Sequence, residues 1–186
     1  MFQIRIHGRG GQGVVSAAEM LSIAAFVEGK HSQAVPSFGS ERMGAPVVAY
    51  VRVDDEEIEL REPVLDPDLL IVQDPTLFHA VDVFSGLKPD GYLLINSARS
   101  ADKLGITEAL QLLPEGHVLT VPATELAMKH LNRPTPNTVL LGALTAVRDL
   151  IGLDSVFAAI RQKFPPKVAE MNIRAAQAAH DATKAA

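Results

Sequence analysis

The amino-acid sequence predicts an α/β domain with a mostly parallel sheet, an antiparallel hairpin and a helical C-terminal third. Three observations carry that expectation. Short, almost wholly apolar runs recur at "DLLIVQD", "GYLLINS" and "HVLTVPA", as strands buried on both faces require. At the start, "FQIRIHG", a glycine-rich turn and an apolar-periodic segment follow one another, the first half of a strand–helix–strand unit. From Asn137 onward the apolar residues keep helical spacing.

Phe2 to His7 alternate apolar and polar residues up to a glycine, which predicts a strand. Gln12 to Glu28 carry Val15, Ala18, Leu21, Ile23, Ala25 and Phe26 at helical intervals. That helix is expected to close at Gly29 in a left-handed cap. "HSQAVPSFGSERMGAP" is interrupted by Pro36, Gly39, Gly44 and Pro46 and reads as loop. "VVAYVRV" and "EIEL" flank "DDEE", which suggests a hairpin with a solvated acidic tip. "PTLFHAVDVFSGL" and "ADKLGITEALQLL" read as short helical segments between the apolar strands. In the last third, Asn137 and Asp154 are expected N-caps and Pro166 an opening helical residue. No composition shift or repeat divides the chain, so residues 1–186 are expected to form one domain.

Composition excludes several function classes. The chain has 186 residues, 47% of them hydrophobic and 21% charged, as in globular domains. No apolar run approaches the roughly 18 residues of a membrane span, and no basic segment precedes an apolar one as in a signal peptide. Cysteine is absent, so this chain carries no disulfide, Cys-ligated zinc or iron–sulfur cluster. A cytoplasmic location is expected. The net charge of −5, with 5% aromatic residues and no tryptophan, argues against nucleic-acid binding.

The chemistry-bearing motif is "GRGGQG" at 8–13. Gly8, Gly10 and Gly13 fit GxGxxG between a strand and a helix, which makes the expected sheet Rossmann-like. Glycine lets the backbone approach a ligand, and a helix N-terminus presents unpaired N–H groups to phosphate. Arg9 offers a planar cationic contact. The bland alternative is that these glycines only permit close packing of helix on strand. A nicotinamide dinucleotide fits less well, because an acid is required about 20 residues beyond the loop for the ribose. That region is "GKHSQAVPSFGS", with no acid before Glu41.

"GRGGQG", then "EGK", then "PSFGSERMGAPV", with "PNTVLLGAL" and "KVAEMNIRAAQAA" near the end, resemble the gamma subunit of 2-oxoacid:ferredoxin (acceptor) oxidoreductases. The resemblance spans essentially the whole chain. It implies a complex that oxidatively decarboxylates a 2-oxoacid to acyl-coenzyme A and CO2, passing electrons to ferredoxin or another acceptor. It implies thiamine diphosphate, Mg2+ and [4Fe-4S] clusters in alpha, beta and delta-type partner subunits. This chain would help to form the coenzyme A site and the assembly, as a separate polypeptide inert alone. Gly8, Arg9, Gly10, Gly11, Gln12 and Gly13, with Ser40 and Arg42 of "GSERMG", are then the expected coenzyme A contacts. No catalytic and no metal-ligating residue is assigned to the chain. Two alternatives stay open: a structural subunit without ligand contact, and a nucleotide-dependent oxidoreductase.

Other residues have plainer readings. The six histidines show no metal-binding spacing, and Ser37 and Ser40 lack the GxSxG surroundings of a nucleophile. Glu41 beside Arg42 reads as an ion pair. The start of the helix at Asn137 is either a plain cap or a surface near a neighbouring chain's thiamine site. Asn172 is expected to bond across an interface or back to a loop. Gly142 and Ala143 suggest close helix packing.

Overall fold

A computed structural model describes residues 1–36 and 43–185. Among these residues six strands form one mixed sheet. They are β1 (Phe2–Arg9), β2 (His31–Pro36), β3 (Pro46–Asp54), β4 (Leu69–Val72), β5 (Tyr92–Asn96) and β6 (Val118–Val121), in the spatial order β2-β3-β1-β4-β5-β6. From β1 through β4 and β5 to β6 the pairs are parallel, and β3 runs antiparallel to both β1 and β2. The α/β class, with its mostly parallel sheet and antiparallel pair, is as the sequence predicts.

The partner in the antiparallel pair differs. "EIEL" forms no strand; "HSQAVP", read as loop, supplies β2 instead. Both edges of β3 are taken, Phe2↔Val53 on one side and Ser32↔Val53 on the other, so no edge is left for residues 57–60. Pro36 is tolerated because it ends an edge strand.

Among the described residues six α-helices complete the fold: α1 (Val14–Val27), α2 (Thr107–Leu112), α3 (Ala123–Leu131), α4 (Asn137–Val147), α5 (Leu153–Lys163) and α6 (Pro166–Lys184). "PTLFH" is a short 3-10 helix of five residues and "ADK" a single 3-10 turn. α1 buries Ala17, Met20, Leu21 and Ala24 against the sheet, worth about 2 kcal/mol for the leucine alone. Its end is a Schellman turn: Gly29 has φ +77°, its N–H donates to Phe26 O, and that of Lys30 to Ala25 O at 3.1 Å. α4 and α6 pack side by side, and a Cβ on Gly142 would lie 2.6 Å from Ala176 Cα. That bears out the close packing expected at Gly142.

Two expectations about helix ends are corrected, and one helix is added. Asn137 is the first residue of α4, with Pro136 at the cap, because the proline already supplies a helix-entry φ. Gly152 caps α5, leaving Asp154 in its first turn, where its charge suits the helix dipole. α3 was not foreseen, although Glu125 at its start, Lys129 and His130 at its end and Asn132 at φ 54° are ordinary helix signals.

The two faces of the sheet are unequally covered. Helices pack on the face that carries Ile4, Ile6, Leu69, Ile71 and Leu94. The opposite face holds a smaller cluster of Leu70, Val72, Leu93, Ile95 and Ile106 under short turns and α2. Arg5 and His7 project onto this second face and are 7% and 5% exposed. The Arg5 guanidinium donates to the carbonyls of Val64, Leu65, Val83 and Ser85, and through Nε to His7 Nε2 at 3.0 Å. Burial, aided by the Arg5 charge, pushes the His7 imidazole down to about 4. Among the described residues His7 Nδ1 has no partner.

Candidate functional site

The glycine loop leaves β1 at Arg9 and enters α1 at Val14. Gly11 and Gly13 have φ +94° and +75°, a region that penalises any side chain. Gly8 serves another purpose. A Cβ there would sit 2.5 Å from Val14 Cγ2 and 3.2 Å from Gln73 Cβ, so its absence lets α1 start hard against the strand. Gly13 likewise touches α4, where its Cβ would meet Asn137 Nδ2 at 2.5 Å.

The inner side of the loop is stitched shut. Arg9 N–H donates to Gln12 Oε1 at 2.7 Å, Gln12 N–H to Arg9 O at 3.0 Å, and Gln12 Nε2 to Asp74 Oδ2 at 2.9 Å. Gly10 exchanges bonds with Ala45 and Gly44, which ties the β2–β3 connection to the loop. The Arg9 guanidinium grips Thr76 Oγ1 at 2.8 Å and Gly44 O at 3.0 Å, and pairs with Asp74 Oδ2 at 3.2 Å. Burial raises the Asp74 carboxyl, but hydrogen bonds from Thr76 and Gln12 and the Arg9 charge outweigh it and hold it below its ordinary value.

The outer side is open. α1 has no side-chain cap and no acid in its first turn, so its leading N–H groups keep a partial positive charge for a ligand. Two clefts meet there. One of about 470 Å³ is lined by Gly11, Gly13, Ser16, Arg133 and Asn137. The other, of about 460 Å³, is lined by Gly10, Gly11, Ser16, Glu19 and Lys163. α4 also begins without an acid in its first turn, and Asn137 Nδ2 donates to Gly13 O at 3.4 Å. The uncapped start of α1 and Arg133 therefore face one cleft, beside the start of α4, where Asn137 Oδ1 accepts from Thr138 N–H at 2.8 Å. That arrangement suits an anion such as a phosphate group.

A third crevice, of about 360 Å³, lies at the carboxyl ends of β4, β5 and β6 beside Gln12. Gln73 lines it, 1% exposed, with neither Oε1 nor Nε2 partnered among the described residues. Leaving such an amide unserved costs about 1–3 kcal/mol. Its neighbour Asn96 is fully engaged: Nδ2 donates to Gln73 O and Thr124 Oγ1, and Oδ1 accepts from Thr124 N–H.

Gly8, Arg9, Gly10, Gly11, Gln12 and Gly13 are thus brought together, with Arg9 and Gln12 turned toward Asp74 and Thr76. Ser40 and Arg42, and the Glu41–Arg42 pair, lie outside the described residues. Asp74, Gln73, Arg133 and Lys163 join the site without any sequence signal, since each arrives from a distant element. Asn172 bonds within the chain, to residues of α4 and of its own helix rather than to a loop. Its Oδ1 accepts from Thr138 Oγ1 at 2.8 Å and its Nδ2 donates to Val168 O. Among the described residues no cluster of three or more His, Asp or Glu is placed to hold a metal, and no helix is long and apolar enough to cross a membrane.

Residues 3–182 match the family model described as "Pyruvate ferredoxin/flavodoxin oxidoreductase". The chain is 45% identical to pyruvate synthase subunit PorC of Methanothermobacter marburgensis, over 99% of this chain and 98% of that one. It is 42% identical to the pyruvate/ketoisovalerate oxidoreductases common subunit gamma of Pyrococcus abyssi, with the same coverage. The crystal structure of pyruvate oxidoreductase subunit PORC from Thermotoga maritima superposes with a TM-score of 0.81 at 35% identity, covering 97% of this chain and 95% of that chain.

Proposed function

The chain belongs to the pyruvate ferredoxin/flavodoxin oxidoreductase family, and on that footing we propose that it forms part of the coenzyme A site of its complex. It is a gamma-type subunit of a 2-oxoacid oxidoreductase. Its alpha, beta and delta-type partners would supply thiamine diphosphate, Mg2+ and [4Fe-4S] clusters, with ferredoxin as acceptor and the cytoplasm as location. Those groups supply the carbon–carbon cleavage and the electron path; this chain binds and orients.

The observation that carries the reading is the uncapped start of α1, open to two clefts and free of acid in its first turn. Coenzyme A is a polyanion. Its pyrophosphate suits the N–H groups between Gly13 and Ser16, with Arg133 at one cleft wall and Lys163, paired with Glu19, at the other. Arg9 and Gln12 brace the loop through Asp74, holding those N–H groups in place before the ligand arrives. Ser40 and Arg42 belong to a connection whose end, at Gly44 and Ala45, is bonded to Gly10, and Arg42 adds a cation to the proposal.

Ser16→Asp in the complex purified through this chain is the test. An acid in the first turn favours the helix by a few tenths of a kcal/mol but repels phosphate. The expected result is an unchanged melting temperature, an unchanged KM for the 2-oxoacid and about a tenfold higher KM for coenzyme A. An unchanged KM for coenzyme A contradicts the reading and favours a subunit that makes no ligand contact.

A further inference from the structure

We propose that the crevice floored by Gln73 receives an uncharged amide-type group of the ligand, on the opposite side of Gln12 from the phosphate cleft. This rests on the coenzyme A reading above. Gln12 belongs both to the glycine loop and to the crevice wall, so one extended molecule can lie across it. The crevice sits at the carboxyl ends of the parallel strands. There β1 leads away to β2 and β3 while β4 leads to β5 and β6, the kind of switch point at which open α/β sheets bind ligands.

The lining selects the chemistry. Asp74 and Glu125 line the crevice and, among the described residues, no lysine or arginine does, so a phosphate is disfavoured there. Asn96, Gln12 and Asp74 spend their hydrogen bonds on protein partners. Gln73 alone in the crevice keeps a donor and an acceptor side by side, both buried and unpaired among the described residues. Such groups almost always have a partner in the working state. A planar acceptor–donor edge matches a secondary amide, whose N–H and C=O answer Oε1 and Nε2. It also matches the amide-like edge of adenine. Coenzyme A carries both, in its pantetheine arm and its base. The pantetheine arm fits better, because adenine would bring the 3′-phosphate close to Glu125.

The complex carrying Gln73→Leu tests this, with pantetheine and adenosine 3′,5′-bisphosphate as competing probes against coenzyme A. Leucine keeps the volume and removes the unserved amide, so the melting temperature should hold or rise. The KM for coenzyme A and the inhibition constant of pantetheine should each rise about tenfold, with the KM for the 2-oxoacid unchanged. If the bisphosphate loses affinity instead of pantetheine, the amide-edge site stands and adenine occupies it. If neither probe nor coenzyme A weakens, Gln73 holds an internal water only and the inference falls. Should Gln73→Leu fail to assemble, Gln73→Met supplies the same readings. Ser16→Asp separates the two levels: a raised KM there with none at Gln73 overturns this inference and leaves the coenzyme A reading standing.

Discussion

Replacing Gly142 by alanine tests how closely α4 and α6 are locked together. The added methyl would stand 2.6 Å from both Cα and the carbonyl carbon of Ala176, with the carbonyl oxygen nearer still. These are backbone atoms in the middle of a 19-residue helix, so no side chain can turn aside. Reaching ordinary carbon contact at about 3.5–4.0 Å requires the helices to part by roughly 1 Å. Alanine gains about 1 kcal/mol over glycine in a helix. Overpacking of this kind costs typically 1–3 kcal/mol and more where backbone opposes backbone. With the clash placed at the upper end, the net loss is about 2 kcal/mol. For a domain of this size that lowers the melting temperature by about 4–8 °C. Differential scanning calorimetry of the purified chain and its Gly142→Ala variant measures it. An equal or higher melting temperature would mean that the propensity gain wins and that the close approach contributes nothing.

Three further outcomes are expected. His7 has its imidazole held at about 4 in the folded chain, against about 6.5 unfolded. The unfolded state therefore binds the extra proton between those values, and stability falls as pH drops through that window, by on the order of 3 kcal/mol from this residue. Urea titrations at pH 7 and 4.5 should show a smaller difference in His7→Gln, and an equal difference refutes the assignment. Asn172→Ala removes the acceptor of the wholly buried Thr138 hydroxyl and should cost about 1–3 kcal/mol in the same titration, partly recovered by adding Thr138→Val. Gly29→Ala forces alanine to φ +77° and should cost about 1–2 kcal/mol; an unchanged urea midpoint would mean that the Schellman turn rearranges freely.

The parallel strands, α1 with its glycine cap and the glycine loop were legible in the sequence because their signals are local. Periodicity, an apolar run or a turn residue is read within a dozen positions. β2 was not legible, since "HSQAVP" is a mediocre strand that forms because the edge of β3 stands open to it. "EIEL" has the better alternation but no edge to join. The site divides the same way. Gly11 and Gly13 could be read from the motif alone. That Arg9 closes on Asp74 and Thr76, or that Gln73 sits unserved beneath Gly8, depends on strands 60 and more residues apart meeting in register.

The Arg5 clamp has a consequence for variation. Its guanidinium reaches two loops, at 64–65 and at 83–85, entirely through main-chain carbonyls. A carbonyl is present whatever residue occupies the position. The side chains of those loops are therefore released from the duty of holding the thin face of the sheet, and can be reshaped for whatever lies against it while the anchorage persists. The single position that carries this tolerance, Arg5, is correspondingly the one that cannot drift.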